Sequence, residues 1–153
     1  MAAHRILALD LATQCGYAIG RPGAVTSGVW SFPLGRFAGG GMRYVEFERK
    51  LDETYAAGAI TEVAFEEVRF HNAVDAAHVH GGLLAILTAW CEKRRIPYKG
   101  VPVGKIKKFW TGNGHASKER MVEAARLYGY EPQDHNEADA LAVLHYRLTE
   151  LGA

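Results

Sequence analysis

A chain of 153 residues, 48% hydrophobic and 23% charged, is long enough for one domain with a buried core and too short for two comfortable ones. No uninterrupted apolar run approaches the roughly 20 residues of a bilayer-spanning helix, and Asp10 breaks the N-terminal apolar stretch before it reaches the length of a signal-peptide core. Net charge is +1, and Cys15 and Cys91 give neither a disulfide framework nor a paired metal spacing, which points to reduced, buried thiols in a cytoplasmic protein.

In chain order, "HRILAL" (4–9) is a buried-strand candidate ending at Asp10. "GYAIG" (16–20) and "VTSGVWSF" (25–32) are further strand runs joined by the turn "RPGA", so the first third predicts an antiparallel meander. After the glycine-rich "PLGRFAGGG", a helix is expected over 42–57, with Tyr44, Val45, Phe47, Leu51 and Tyr55 as its apolar face. "ITEVAFEEV" (60–68) alternates as a fourth strand and carries Glu66 and Glu67. A long helix follows over 75–95, apolar through Leu83, Leu84, Ile86, Leu87 and Trp90. "IPYKGVPV" is a short fifth strand whose prolines suit a sheet edge. Helices are expected over 105–110, over 118–128 behind Ser117 as N-cap, and over 137–150. Three antiparallel strands feeding a crossover helix into a fourth strand is the ribonuclease H-like order, a mixed five-stranded sheet flanked by helices in one domain over 1–153.

Charge is unevenly placed. From Lys93 to Arg126 there are ten Lys/Arg against two Glu, and both flanking segments are net acidic. A basic segment bordered by carboxylates suits a polyanion handled beside a metal cluster, although solvated helix faces give the same counts.

Asp10 and Glu66 each end an apolar strand, where a carboxylate is costly unless a metal, a cation or backbone donors meet it. Alternation puts Glu66 and Glu67 on opposite faces, so only one can join Asp10, and alternation alone does not choose. Asn136 and Asp139, three residues apart, share a helix face. Asp134, Asn136 and Glu137 are also what a helix N-terminus favours. Asp139 differs, because it sits inside "ADALAVL", where propensity and packing favour another residue. Three acids converging from separate elements would make a hard oxygen site suited to Mg²⁺ or Mn²⁺. The histidines, among them His71, His78 and His80, fit no zinc spacing and are read as polar face residues.

"LALDLATQCGYAIG", "VAFEEV", "VGKIKKFWTGNGHASKERM" and "NEADALAV" together resemble RuvC-type Holliday-junction resolvases, particularly the phage or prophage-like branch. The resemblance implies a homodimeric, Mg²⁺-dependent endonuclease (Mn²⁺ substituting) that cuts paired strands of a four-way DNA junction. It implies two ions per site about 4 Å apart. Motif by motif, Asp10, Glu66 and Asp139 take three ligand positions, and the fourth, usually Asp or His, falls on Asn136. There Asp134, His135 and Glu137 are the substitutes. Lys107 and Lys118 match basic positions near the scissile phosphate, with Lys105 and Lys108 as further phosphate contacts. Phe70 stands one residue from the expected place of a base-wedging aromatic, and a core role serves it equally. The "TGNGHASK" loop offers an anion site at a helix N-terminus without being a Walker loop. The 75–95 helix is the implied dimer contact. Alternatives are a nuclease of the same fold acting on other branched DNA or structured RNA, and a non-catalytic junction-binding protein. A resemblance of the Asp10 hairpin to actin-like ATPases fails, because 153 residues cannot supply the second lobe.

Overall fold

The computed structural model describes residues 4–32, 39–68 and 73–153. Five strands, β1 (Ile6–Asp10), β2 (Gln14–Arg21), β3 (Ala24–Ser31), β4 (Glu62–Glu67) and β5 (Tyr98–Pro102), form one sheet in the order β3-β2-β1-β4-β5. The β1–β2 and β2–β3 pairs are antiparallel, whereas β4 and β5 add in parallel. The helices are α1 (Met42–Ala57), α2 (Val74–Arg94), α3 (Val103–Thr111), α4 (Lys118–Leu127) and α5 (His135–Glu150). This is the mixed ribonuclease H-like arrangement expected from the element order.

β1 is central, and every residue in it is buried, which is why "ILALD" reads as a continuous apolar run rather than an alternating one. Ile6 and Ala8, with Ala18 and Ala64, share a core with Ala138, Leu141, Ala142 and Leu144 of α5. Leu7 and Leu9, with Ile19, Val63 and Phe65, share the opposite core with Phe47 and Leu51 of α1 and Leu83, Leu87 and Trp90 of α2. Each of these large side chains contributes roughly 1.5–3 kcal/mol through burial. The first core is built largely of alanine, and small side chains on both surfaces let α5 lie close against the strands.

Several local expectations are refined. The α1 face buries Phe47 and Leu51, but Val45 is 54% exposed. α3 starts at Val103, directly after Pro102 ends the edge strand. α5 starts at His135 because Asp134 caps it, Oδ1 accepting the Glu137 N–H at 2.9 Å. Ser117 caps α4 as expected, accepting from the Arg120 N–H at 3.2 Å. His78 is exposed, but His80 turns inward, with Nδ1 3.2 Å from the Leu11 carbonyl oxygen just past the end of β1. His71 and Phe70 lie outside the described residues. By length and composition α2 could cross a bilayer, yet Leu83, Leu87 and Trp90 pack it into the core.

α5 is also pinned at its far end. Arg147 donates from Nε and Nη2 to the two carboxylate oxygens of Glu62, at 2.6 and 2.7 Å, where β4 begins. A bidentate pair this enclosed fixes orientation as well as distance.

Candidate metal centre and nucleic-acid face

The parallel register sets Leu9 beside Phe65, so the next residues, Asp10 and Glu66, end adjacent strands. Asp10 follows the parity of Ile6 and Ala8, and Glu66 that of Ala64, so both carboxylates point toward the α5 side. Glu67 takes the parity of Phe65, on the α1/α2 side, and is exposed. Packing therefore makes the choice that alternation left open.

α5 brings the third acid. Gly16 is the cross-strand partner of Asp10, and a Cβ there would lie 1.9 Å from the Asn136 carbonyl oxygen. Only glycine lets the first turn of α5 sit this close to the strand end. One turn on, Asp139 reaches Asp10 and Glu66, and carboxylate oxygens of all three lie within 4.8 Å of one another. Asp10 is buried, whereas Glu66 and Asp139 keep a little solvent contact.

The electrostatics follow from this crowding. Burial, then the charges of Glu66 and Asp139, push the Asp10 carboxyl well above the usual range. Burial raises Glu66, against the opposing pull of its hydrogen bond with Asp10 and of the Lys107 charge. Asp139 is pushed up to about 8 by burial and then by Glu66, with its Asp10 hydrogen bond and Lys107 opposing and Asp134 adding a little. None of the three joins an ion pair among the described residues. Convergent carboxylates whose pKa values burial and mutual repulsion raise are a donor set on which a hard divalent ion would take the place of protons. The residues present thus fit Mg²⁺ or Mn²⁺. Cys15 next door is no candidate ligand, because burial and the nearby Asp10 charge push its thiol up and keep it protonated.

The fourth-ligand candidates separate by their hydrogen bonds. Asn136 donates from Nδ2 to Asp134 Oδ2 at 3.3 Å, which leaves its side-chain carbonyl as the ligand-capable atom. Asp134 is thus engaged twice, as helix cap and as acceptor for Asn136. Glu137 is 5% exposed with both oxygens taken, Oε2 by the Ser27 hydroxyl at 2.7 Å and Oε1 by the Gln133 N–H at 2.8 Å. His135 instead lines a cleft of about 360 Å³ with Lys118, Glu119, Val122, Arg126 and Asp134.

The basic block divides likewise. Lys107, half-buried on α3, is the cation whose field reaches Glu66 and Asp139. Lys105 and Lys108 are exposed on the same helix, and exposed Lys118 opens α4 at the mouth of the cleft. Lys99 and Arg94 are held elsewhere, by Glu150 at 2.9 Å and Asp52 at 2.7 Å. Sequence reasoning gave Gly16 and Ser27 no role at the site, and it offered Glu137 only as a substitute fourth ligand, whereas both of its oxygens are taken by Ser27 and Gln133. The usable signal was Gly16 in "GYAIG", a glycine inside a strand run, where close approach of another backbone is one of the few reasons for it.

A ribonuclease H-like sheet with three carboxylates at one pole is the class that this geometry defines. Within it, the chain has the fold of RuvC-type Holliday junction resolvases. It is similar to Thermus thermophilus RuvC in complex with a Holliday junction substrate, with a TM-score of 0.75 and 20% identity over 96% of both chains. A second Thermus thermophilus RuvC structure matches with a TM-score of 0.72 and 20% identity, over 97% of this chain and 96% of that one. The yeast mitochondrial Holliday junction resolvase Ydc2 matches with a TM-score of 0.61 and 15% identity, over 92% of this chain and 76% of that one. No family model matches the sequence, and no curated protein does.

Proposed function

We propose that the protein is a divalent-metal-dependent, structure-selective endonuclease that resolves four-way DNA junctions by paired phosphodiester hydrolysis. The observation that carries this reading is the convergence of Asp10, Glu66 and Asp139 within 4.8 Å at the end of the sheet, with Lys107 close enough to act on two of them. In it, Asp10, Glu66 and Asp139 hold two Mg²⁺ ions, for which Mn²⁺ substitutes, and Asn136 adds a neutral oxygen. Bound metal supplies Lewis-acid stabilisation of the phosphate and a water of lowered pKa. Lys107 offsets charge on the scissile phosphate from inside the site, and Lys118 does so from the cleft. Lys105 and Lys108 hold the flanking backbone in a salt-dependent way. Paired cutting calls for two copies. The outward side of α2 carries Ala77, Gly81, Ala85 and Ala89 at four-residue spacing, a surface on which a second α2 can approach closely in a homodimer.

The test is cleavage of a four-way junction, a flap, a replication fork and duplex RNA, each in Mg²⁺ and in Mn²⁺, beside the mass of the protein in solution. Symmetric nicks in the junction, abolished by Asp10→Asn with junction binding retained, are the expected result. Full activity in Asp10→Asn sinks the assignment, and preference for the flap or RNA redirects it to another nucleic acid. Asn136 in the fourth position favours one further reading, a junction-binding protein without catalysis. Tight binding with no cutting in either metal would select it.

A further inference from the structure

We propose that Glu137 is a positioning residue for the metal centre, acting with Ser27 to fix the start of α5 over the strand ends. The inference rests on the endonuclease reading for its chemistry, but it concerns this chain's own clamp. Glu137 lies two residues before Asp139 and one after Asn136, yet neither of its oxygens is available to the site. One accepts the Ser27 hydroxyl of β3 at 2.7 Å, and the other accepts the Gln133 N–H of the preceding loop at 2.8 Å. Its own N–H is held by Asp134 at 2.9 Å.

A carboxylate this buried, with no Lys or Arg ion pair among the described residues, is an expensive way to start a helix. What it achieves is a tie between the first turn of α5 and β3, two strands away from β1. The gap at Gly16 admits that turn, and the Glu62–Arg147 pair holds the other end of the helix. Asp139 is thereby fixed along and around the helix axis relative to Asp10. Without the Ser27 tie, the first turn keeps its cap and its packing at Gly16 but loses its hydrogen bond to β3.

The experiment compares Ser27→Ala, Glu137→Ala, the double variant and Glu137→Gln, with Mn²⁺ affinity read by calorimetry without DNA and junction cleavage at saturating Mn²⁺ read separately. Urea unfolding fixes a temperature at which every variant is folded. Glutamine keeps both contacts, its carbonyl accepting from Gln133 and its amide donating to the Ser27 hydroxyl, while removing the charge. Glu137→Ala is expected to weaken Mn²⁺ binding and slow cleavage by about 10- to 100-fold, the range for supporting groups around metal ligands. Ser27→Ala should lose less, and should add nothing to Glu137→Ala. Glu137→Gln should recover most of the loss. A folded Glu137→Ala that binds Mn²⁺ within about twofold of wild type overturns the proposal. So does a Glu137→Gln as impaired as Glu137→Ala, since charge rather than position would then matter. If wild type binds Mn²⁺ with the expected variant pattern but cuts no junction, the endonuclease reading falls and the clamp stands.

Discussion

Replacing Asp139 with asparagine should stabilise the metal-free protein at neutral pH and remove much of its pH dependence. In the folded chain the Asp139 carboxyl sits at about 8, against roughly 3.9 in an unfolded chain. Its folded-state pKa is raised, so its contribution to stability is complete below the unfolded value and is lost as pH rises through the folded one. For a single independent proton the loss is about 2.6 kcal/mol between pH 5 and 7 and about 1.4 kcal/mol between pH 7 and 9. Asp139 keeps some solvent contact and shares its proton with Asp10, so about half of that total, roughly 2 kcal/mol, is the working figure. Urea unfolding in EDTA at pH 5 to 9 measures it, read as wild type minus D139N. Burial lowers the pKa of His145, which acts with the opposite sign below about pH 6.5. The buried Cys15 and Cys91 thiols, both pushed up, act with the same sign above about pH 8.5. All three cancel in the difference. A difference that is flat or rises with pH refutes the reasoning, because the three carboxylates would then not be sharing protons. Saturating Mn²⁺ should restore wild-type stability at pH 8 and leave D139N nearly unmoved.

Further outcomes follow from the same geometry. Asn136→Asp should tighten Mn²⁺ binding by about tenfold on titration, and should lower metal-free stability at pH 8 by adding a like charge. Gly16→Ala should cost about 1–3 kcal/mol in urea and abolish cleavage, because its Cβ would meet the Asn136 carbonyl oxygen at 1.9 Å. Lys107→Met should move the midpoint of the cleavage pH profile upward, since Lys107 is the cation holding Glu66 and Asp139 down. Arg147→Ala should cost about 3–5 kcal/mol, read by urea, because it leaves Glu62 charged and enclosed without its partner.

The fold was legible because its signals are local. "ILALD" had to be a strand buried on both faces, and the turn glycines and helix periods set the order of everything after it. Asp10, Glu66 and Asp139 stood out for a related reason: each carboxylate interrupts an apolar pattern, and such an interruption is visible one element at a time. Glu66 against Glu67 was not decidable this way. Alternation assigns opposite faces without saying which face α5 will cover, and that depends on alanines distributed over β1, β2 and β4. Val45 and His80 failed for similar reasons. Helical periodicity places a residue on a face, but the outline of the neighbouring element decides whether that face is covered at its end.

Glu137 shows where such reading stops, and why. In the sequence it is one acid among five polar residues at a helix start, and the favourable interaction of carboxylates with a helix N-terminus accounts for it fully. Its partner Ser27 lies 110 residues away on a strand that contributes no acid to the site. Nothing in either local pattern marks the pair. The crowding at the start of α5 therefore combines three separate demands: a cap from Asp134, an anchor from Glu137, and oxygen donors from Asn136 and Asp139. Because a helix offers its first turn only a few positions, the anchor and the cap occupy places that are then closed to a further ligand carboxylate. An amide at Asn136 avoids adding one more charge there. Asp134 already raises Asp139 from two residues before Asn136, and another charge between them would make the metal-free centre costlier still. Asn136→Asp thus separates the two costs, since its effect on Mn²⁺ affinity and its effect on metal-free stability should have opposite signs.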